Sequence, residues 1–221
     1  MDFKLKHQPS YSLVELTMNQ GEQIRTEAGA MVYMSPDFKV ETKFGSGFLS
    51  AIGNKFLGGE SLFINEYTAS SNNAVLGLAT DLAGDVAHIK MNESTLILQG
   101  GAFLASSPGV NIKPIFGGIK SLIGKEGAFL LKANGTGDLF YTSYGAIVPI
   151  EVDGSYIVDT GHLVAFEENL TYKLKKASKG LLSTVTSGEG FVFEFSGNGK
   201  LWIQSRVPDG FISWISRLLP R

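Results

Sequence analysis

One block appears three times along this chain, and it constrains the fold more tightly than any other feature. Its clearest copy runs Glu189-Gly190-Phe191-Val192-Phe193-Glu194-Phe195, then Ser196-Gly197-Asn198-Gly199, then Lys200-Leu201-Trp202-Ile203-Gln204. Phe191, Phe193 and Phe195 alternate with Val192 and Glu194, and a period of two sends alternate side chains to opposite faces of a strand. Gly197-Asn198-Gly199 tolerates the positive φ that tight hairpins need, so the block reads as two strands joined by a turn. Glu126-Gly127-Ala128-Phe129-Leu130-Leu131 leads in the same way to Asn134-Gly135-Thr136-Gly137 and Asp138-Leu139-Phe140-Tyr141. Glu60-Ser61-Leu62-Phe63-Ile64 leads to Ser70-Ser71-Asn72-Asn73 and Ala74-Val75-Leu76.

A second landmark precedes each block. Met18-Asn19, Met91-Asn92 and Val152-Asp153 end apolar runs with a turn-forming residue, and Ile24, Ile97 and Ile157 follow. Next come Glu27-Ala28-Gly29-Ala30-Met31-Val32, Gln99-Gly100-Gly101-Ala102-Phe103-Leu104 and Asp159-Thr160-Gly161-His162-Leu163-Val164. The order of landmarks is the same each time. A period this long implies stacked or ring-arranged copies of one unit. The expected organisation is one all-β domain of three tandem repeats, roughly 1–80, 81–143 and 144–206, followed by a tail over 207–221.

Composition agrees. Among 221 residues, 27 are glycine, which suits many tight turns and poorly suits long helices. At 43% hydrophobic the chain has ample material for a core. The formal net charge of −2 argues against a nucleic-acid surface, which is usually visibly basic. With no cysteine, disulfides, thiol catalysis and cysteine-ligated metal are excluded. The chain opens Met1-Asp2-Phe3-Lys4-Leu5-Lys6, without the charged-then-apolar start of a secretory signal. No apolar run approaches the ~20 residues that span a bilayer, so a cytoplasmic protein is expected.

Three segments between the landmarks are apolar for loops. They hold Phe48, Ile52 and Phe56; Ile119 and Leu122; and Leu181 and Leu182. Loops usually lie on the surface, so apolar ones predict burial against another subunit, a partner or a membrane; the subunit is the favoured reading. The tail carries Phe211, Ile212, Trp214, Ile215, Leu218 and Leu219 at the spacing of one wide helical face, with Asp209 as N-cap. That face suits docking on the β body, bridging of protomers, or a membrane surface. Arg217 and Arg221 supply thin positive charge for a membrane, so docking is expected.

The sequence resembles the altered-inheritance-of-mitochondria type 24 family over nearly its whole length. The resemblance rests on Glu27-Ala28-Gly29-Ala30-Met31-Val32-Tyr33-Met34, Gly58-Gly59-Glu60-Ser61-Leu62-Phe63, Val158-Asp159-Thr160-Gly161-His162-Leu163-Val164-Ala165-Phe166, and the C-terminal block ending Ile203-Gln204-Ser205-Arg206. It implies a fold similar to the tryptophan RNA-binding attenuation protein, with short β-sandwich or double-stranded β-helix units. Three units would sit in each chain, and three chains would close into a ring, a homotrimer. Mitochondrial members are linked to inner-membrane organisation. The tryptophan and RNA binding of the attenuation protein finds no motif here.

No chemical signature stands out. His7, His88 and His162 do not occupy matching places in the repeats and form no ligand set. Glu60, Glu126 and Glu189 are the repeated carboxylates, and a structural role at strand starts explains them. The glycine clusters lack the following helix and lysine of a phosphate loop, and no Gly-x-Ser-x-Gly elbow is present. The expectation is a non-enzymatic homo-oligomeric scaffold without cofactor or metal. Its candidate interaction residues are the seven loop residues above with Trp214, Ile215 and Leu218. The competing expectation is a small-ligand-binding or enzymatic β-barrel with a site between repeats, contacted by His162, Trp202, Tyr141 and Tyr144.

Overall fold

The computed structural model describes residues 1–44, 63–115, 130–176 and 190–219. Strands dominate. They are β1 (Asp2–Lys6), β2 (Leu13–Met18), β3 (Gln23–Glu27), β4 (Met31–Met34), β5 (Phe38–Phe44), β6 (Phe63–Ala69), β7 (Ala74–Leu78) and β8 (Val86–Gln99). They continue with β9 (Phe103–Ser106), β10 (Val110–Ile115), β11 (Leu130–Thr142), β12 (Ile147–Asp159), β13 (Leu163–Glu167), β14 (Thr171–Lys176) and β15 (Phe191–Gln204). Among the described residues one α-helix, α1 (Pro208–Ser216), follows. Period-two patterning explains the strands. In β2, Val14, Leu16 and Met18 are buried and Leu13, Glu15 and Thr17 are less so, as alternation across a pleat requires.

The strands form two sheets. A four-stranded sheet has the order β1-β2-β7-β4. An eleven-stranded sheet has the order β12-β15-β13-β8-β11-β9-β3-β6-β5, with β10 added on β11 and β14 on β15. Among the described residues every pairing of these strands is antiparallel. Three apolar clusters fill the interior. One is centred on Leu16, Ile24, Leu76 and Phe140. A second is centred on Leu98, Phe103 and Leu139, and a third on Phe166, Phe195 and Leu201.

The glycine clusters do not reverse the chain. The sequence predicts hairpins at Gly197-Asn198-Gly199 and at Asn134–Gly137, but β15 and β11 run straight through them as single long strands. Gly197 has φ +123° and faces Gly154, at φ +90°, across the β12–β15 pair. Gly135 and Gly137 flank a register shift against β8. Glycines at positive φ can bulge and bend a strand as readily as end it. A continuous partner strand decides the outcome, and sequence pattern alone does not reveal one. The Ser70–Asn73 turn does exist, yet β6 and β7 on either side of it enter different sheets and do not pair with each other.

Short 3-10 turns at Gly100–Ala102 and Thr160–His162 follow β8 and β12. The side chains of Gln99 and Asp159 accept hydrogen bonds from the Gly101 and Gly161 amides and cap them. At the corresponding place in the first third, the Ala30 amide donates to the Glu27 carbonyl. The next strand carries the same irregularity in all three places. Met31 and Tyr33 pair with Leu78 and Gly77, Phe103 and Ala105 with Tyr141 and Phe140, and Leu163 and Ala165 with Ile203 and Trp202. One residue, Val32, Leu104 or Val164, bulges each time.

The helix differs from expectation in two ways. Its N-cap is Val207, without a side-chain cap, and Pro208 stands at the start. Proline is well suited there because its missing N–H would be unsatisfied anyway. Asp209 therefore lies inside the first turn, where its charge faces the positive end of the helix dipole. No residue of α1 is buried. Among the described residues Phe211 meets the Tyr144 ring at 6.2 Å, but the apolar face of α1 is not buried against the β body.

Candidate interaction surface

Of the residues the sequence singles out for interaction, Phe48, Ile52, Phe56, Ile119, Leu122, Leu181 and Leu182 lie outside the described residues, as do Glu60, Glu126 and Glu189. The structure places Trp214 and Leu218 on the surface and Ile215 half-buried beside them. Phe211 stacks on Trp214 with ring centroids 6.1 Å apart. With Ile212 and Leu219 also exposed, α1 and the turn after it present a continuous apolar stripe.

The candidate ligand contacts are placed differently. Tyr141 and Trp202 are both buried and meet edge to face at 6.1 Å. Burial, with the nearby Asp85 charge adding to it, pushes the Tyr141 hydroxyl up to about 12, so it stays protonated at any ordinary pH. His162 closes its 3-10 turn, with Nδ1 2.6 Å from the Gln204 carbonyl oxygen. The Gln204 amide group donates to the Gly161 carbonyl, and its oxygen accepts from the Tyr144 amide. These contacts tie the turn, β15 and the start of β12 together.

A second apolar surface was hidden in the sequence. Met31, Val32, Tyr33 and Met34 are all exposed on β4, and Tyr156 and Ile157 are exposed on β12. Met31-Val32-Tyr33-Met34 holds no charged residue that would mark it as exposed. The signal that marks it is comparative: Phe103–Ala105 and Leu163–Ala165 occupy the matching places and are buried. β4 ends the smaller sheet and β12 ends the larger. The Tyr33 ring lies over Gly77, where an added Cβ would sit 2.5 Å from it, and its hydroxyl donates to Glu15 at 2.6 Å. That hydrogen bond raises the Tyr33 pKa, while Lys6 and then Tyr33 lower that of Glu15.

Asp85, Glu66 and Asp138 are each tied into a polar network. Asp85 accepts from Ser12 Oγ at 2.7 Å, Gln8 Nε2 at 3.2 Å and its neighbour Val86 N at 2.9 Å. Arg25 Nε donates to Glu66 at 2.9 Å and Arg25 Nη1 to the Pro108 carbonyl at 3.2 Å. Asp138 lies 2.9 Å from His88 Nε2 and accepts from Lys90 Nζ at 3.0 Å. Among the described residues no group of three or more His, Asp and Glu side chains is placed to hold a metal ion.

Burial works to raise the Asp138 pKa, but the hydrogen bonds from His88 and Lys90 outweigh it and hold the carboxyl below its ordinary value. A carboxyl depressed by folding stabilises the fold above its unfolded pKa, and that contribution is lost as pH falls through the folded value. Melting temperature is therefore expected to drop below about pH 4. An Asp138→Asn variant should show a shallower drop there than the parent. Parallel pH curves would show that this cluster carries no charge-dependent stability.

Residues 3–206 match the family described as Mitochondrial biogenesis AIM24, and the chain belongs to that family. An uncharacterized protein of Streptococcus pyogenes serotype M6 is 31% identical over 229 residues, a match covering 100% of this chain and 92% of that protein. The X-ray crystal structure of a protein from Streptococcus pyogenes aligns with a TM-score of 0.81 at 28% identity, covering 99% of each chain. No helix among the described residues is long and apolar enough to cross a membrane.

Proposed function

We propose that this chain is a non-enzymatic scaffold, built from three copies of one β unit, that works as a homotrimeric ring and offers its C-terminal helix to a partner or membrane surface. The observation that carries the reading is the apolar surface on β4, β12 and α1. Large exposed apolar patches are uncommon on proteins that act alone and mark interaction sites. The three-copy organisation is supported by the bulge repeated at Val32, Leu104 and Val164 and by the three separate apolar clusters.

Sedimentation or light scattering tests the assembly. The expected solution mass is three times the 23.8 kDa of the chain, and a monomer at micromolar concentration would overturn the reading. Liposome flotation tests the helix. The full chain is expected to float and a chain ending at Val207 to stay in solution. Equal failure of both would remove the membrane reading.

A further inference from the structure

We infer that a second copy of this chain docks head to tail by pairing its β4 with the free edge of β12, with Tyr33 opposite Val158 and Met34 opposite Ile157. The inference rests on the oligomeric reading above and names the surface that reading requires.

The warrant is a register that the chain already uses twice. β9 pairs with β3 through Thr26 opposite Ala105 and Arg25 opposite Ser106. β13 pairs with β8 through Leu98 opposite Ala165 and Ile97 opposite Phe166. When Glu27, Gln99 and Asp159 are aligned as equivalent strand ends, the two joints use identical positions. β4 is the third member of the set β4, β9, β13, and β12 is the third member of the set β3, β8, β12. Among the described residues β4 pairs only with β7, and β12 only with β15. Carrying the register forward gives the two pairs named above.

Burial separates the filled joints from the open one. Phe103, Leu104 and Ala105 are 0% exposed, and Leu163, Val164 and Ala165 are at most 1% exposed, whereas their counterpart Val32 is 57% exposed. Ile97 is 5% exposed and its counterpart Ile157 is 62% exposed. A neighbouring copy would cover these side chains as β8 covers β13. Tyr33 stands where the filled joints have alanine, but its bulk does not obstruct the pairing. Its ring lies over Gly77, and the residues matching Gly77 are Phe140 and Trp202. The aromatic group has moved from one strand to its neighbour, leaving the volume of the pair similar. The paired surfaces differ, so the contact is heterologous, and such contacts either close into rings or extend into filaments. One chain carries each edge once, so every added copy leaves one of each until closure.

The chain has no cysteine, which permits a direct test of register. Met34→Cys and Ile157→Cys chains are co-expressed and oxidised. Directly opposed Cβ atoms lie about 4.5–5.5 Å apart, close to disulfide reach. Cross-linked dimer is expected in the mixture and in neither variant alone. A Val32→Cys and Ile157→Cys mixture, out of register, should give none. Ile157→Lys is the second arm. It changes a side chain exposed in the single chain, so folding should survive while the mass falls to that of one chain. If the parent is oligomeric but the mixture does not cross-link, or Ile157→Lys remains assembled, this joint is wrong and the scaffold reading stands. If the parent is monomeric, both fall.

Discussion

Replacing Phe140 with alanine is expected to cost about 4 kcal/mol of folding stability, the upper range for emptying an enclosed aromatic site. Phe140 is fully buried on β11. Its ring meets Phe3 edge-on at 5.1 Å and lies 5.0 Å from the His88 ring. It belongs to the cluster that includes Leu16, Leu76 and Leu78 from the smaller sheet and Ile24, Val86 and Leu104 from the larger, so its removal loosens the contact between layers. Collapse into the gap is resisted because β11 is hydrogen-bonded to β8 on one side and to β9 on the other. Urea titration should show a lower midpoint with an unchanged slope. A loss under about 1 kcal/mol would be an ordinary surface-scale effect and would show that the ring is not enclosed between the layers.

Gly135→Ala is the second large effect, expected at about 3 kcal/mol from backbone strain and steric overlap together. Gly135 holds φ +127°, and an added Cβ would stand 2.2 Å from the Gly109 carbonyl oxygen. β10 crosses there, with Val110 opposite Gly135, so relief requires moving one strand off another. Gly154→Ala provides the control. Its φ is +90° with no atom within 4 Å of the added methyl, so strain alone applies, about 1 kcal/mol. Equal losses at the two sites would mean that β10 does not press against the bend.

The strands were legible because their chemistry is local. Phe193 and Phe195 alternate with Glu194, and Val14 and Leu16 with Glu15, so face and period follow from the letters. The connectivity at the glycines was not legible. Gly197-Asn198-Gly199 fits a turn and a bend equally well, and the choice was made by Gly154 on a strand more than forty positions earlier. The helix was legible from its spacing, but its exposure was not, because an apolar stripe does not record whether the chain's own β body covers it. The edge residues of β4 were missed for the same reason. Tyr33 and Met34 resemble interior residues, and only the pairing pattern of neighbouring strands leaves them uncovered.

β4 precedes β12 by more than a hundred residues, and that order has a consequence for biosynthesis. A ribosome releases the first edge long before it has made the last, so a nascent chain displays Met31–Met34 while its own β12 is still untranslated. In the proposed assembly, the complementary edge available at that moment belongs to an older, finished molecule. Docking in that assembly would then begin before the younger chain is complete.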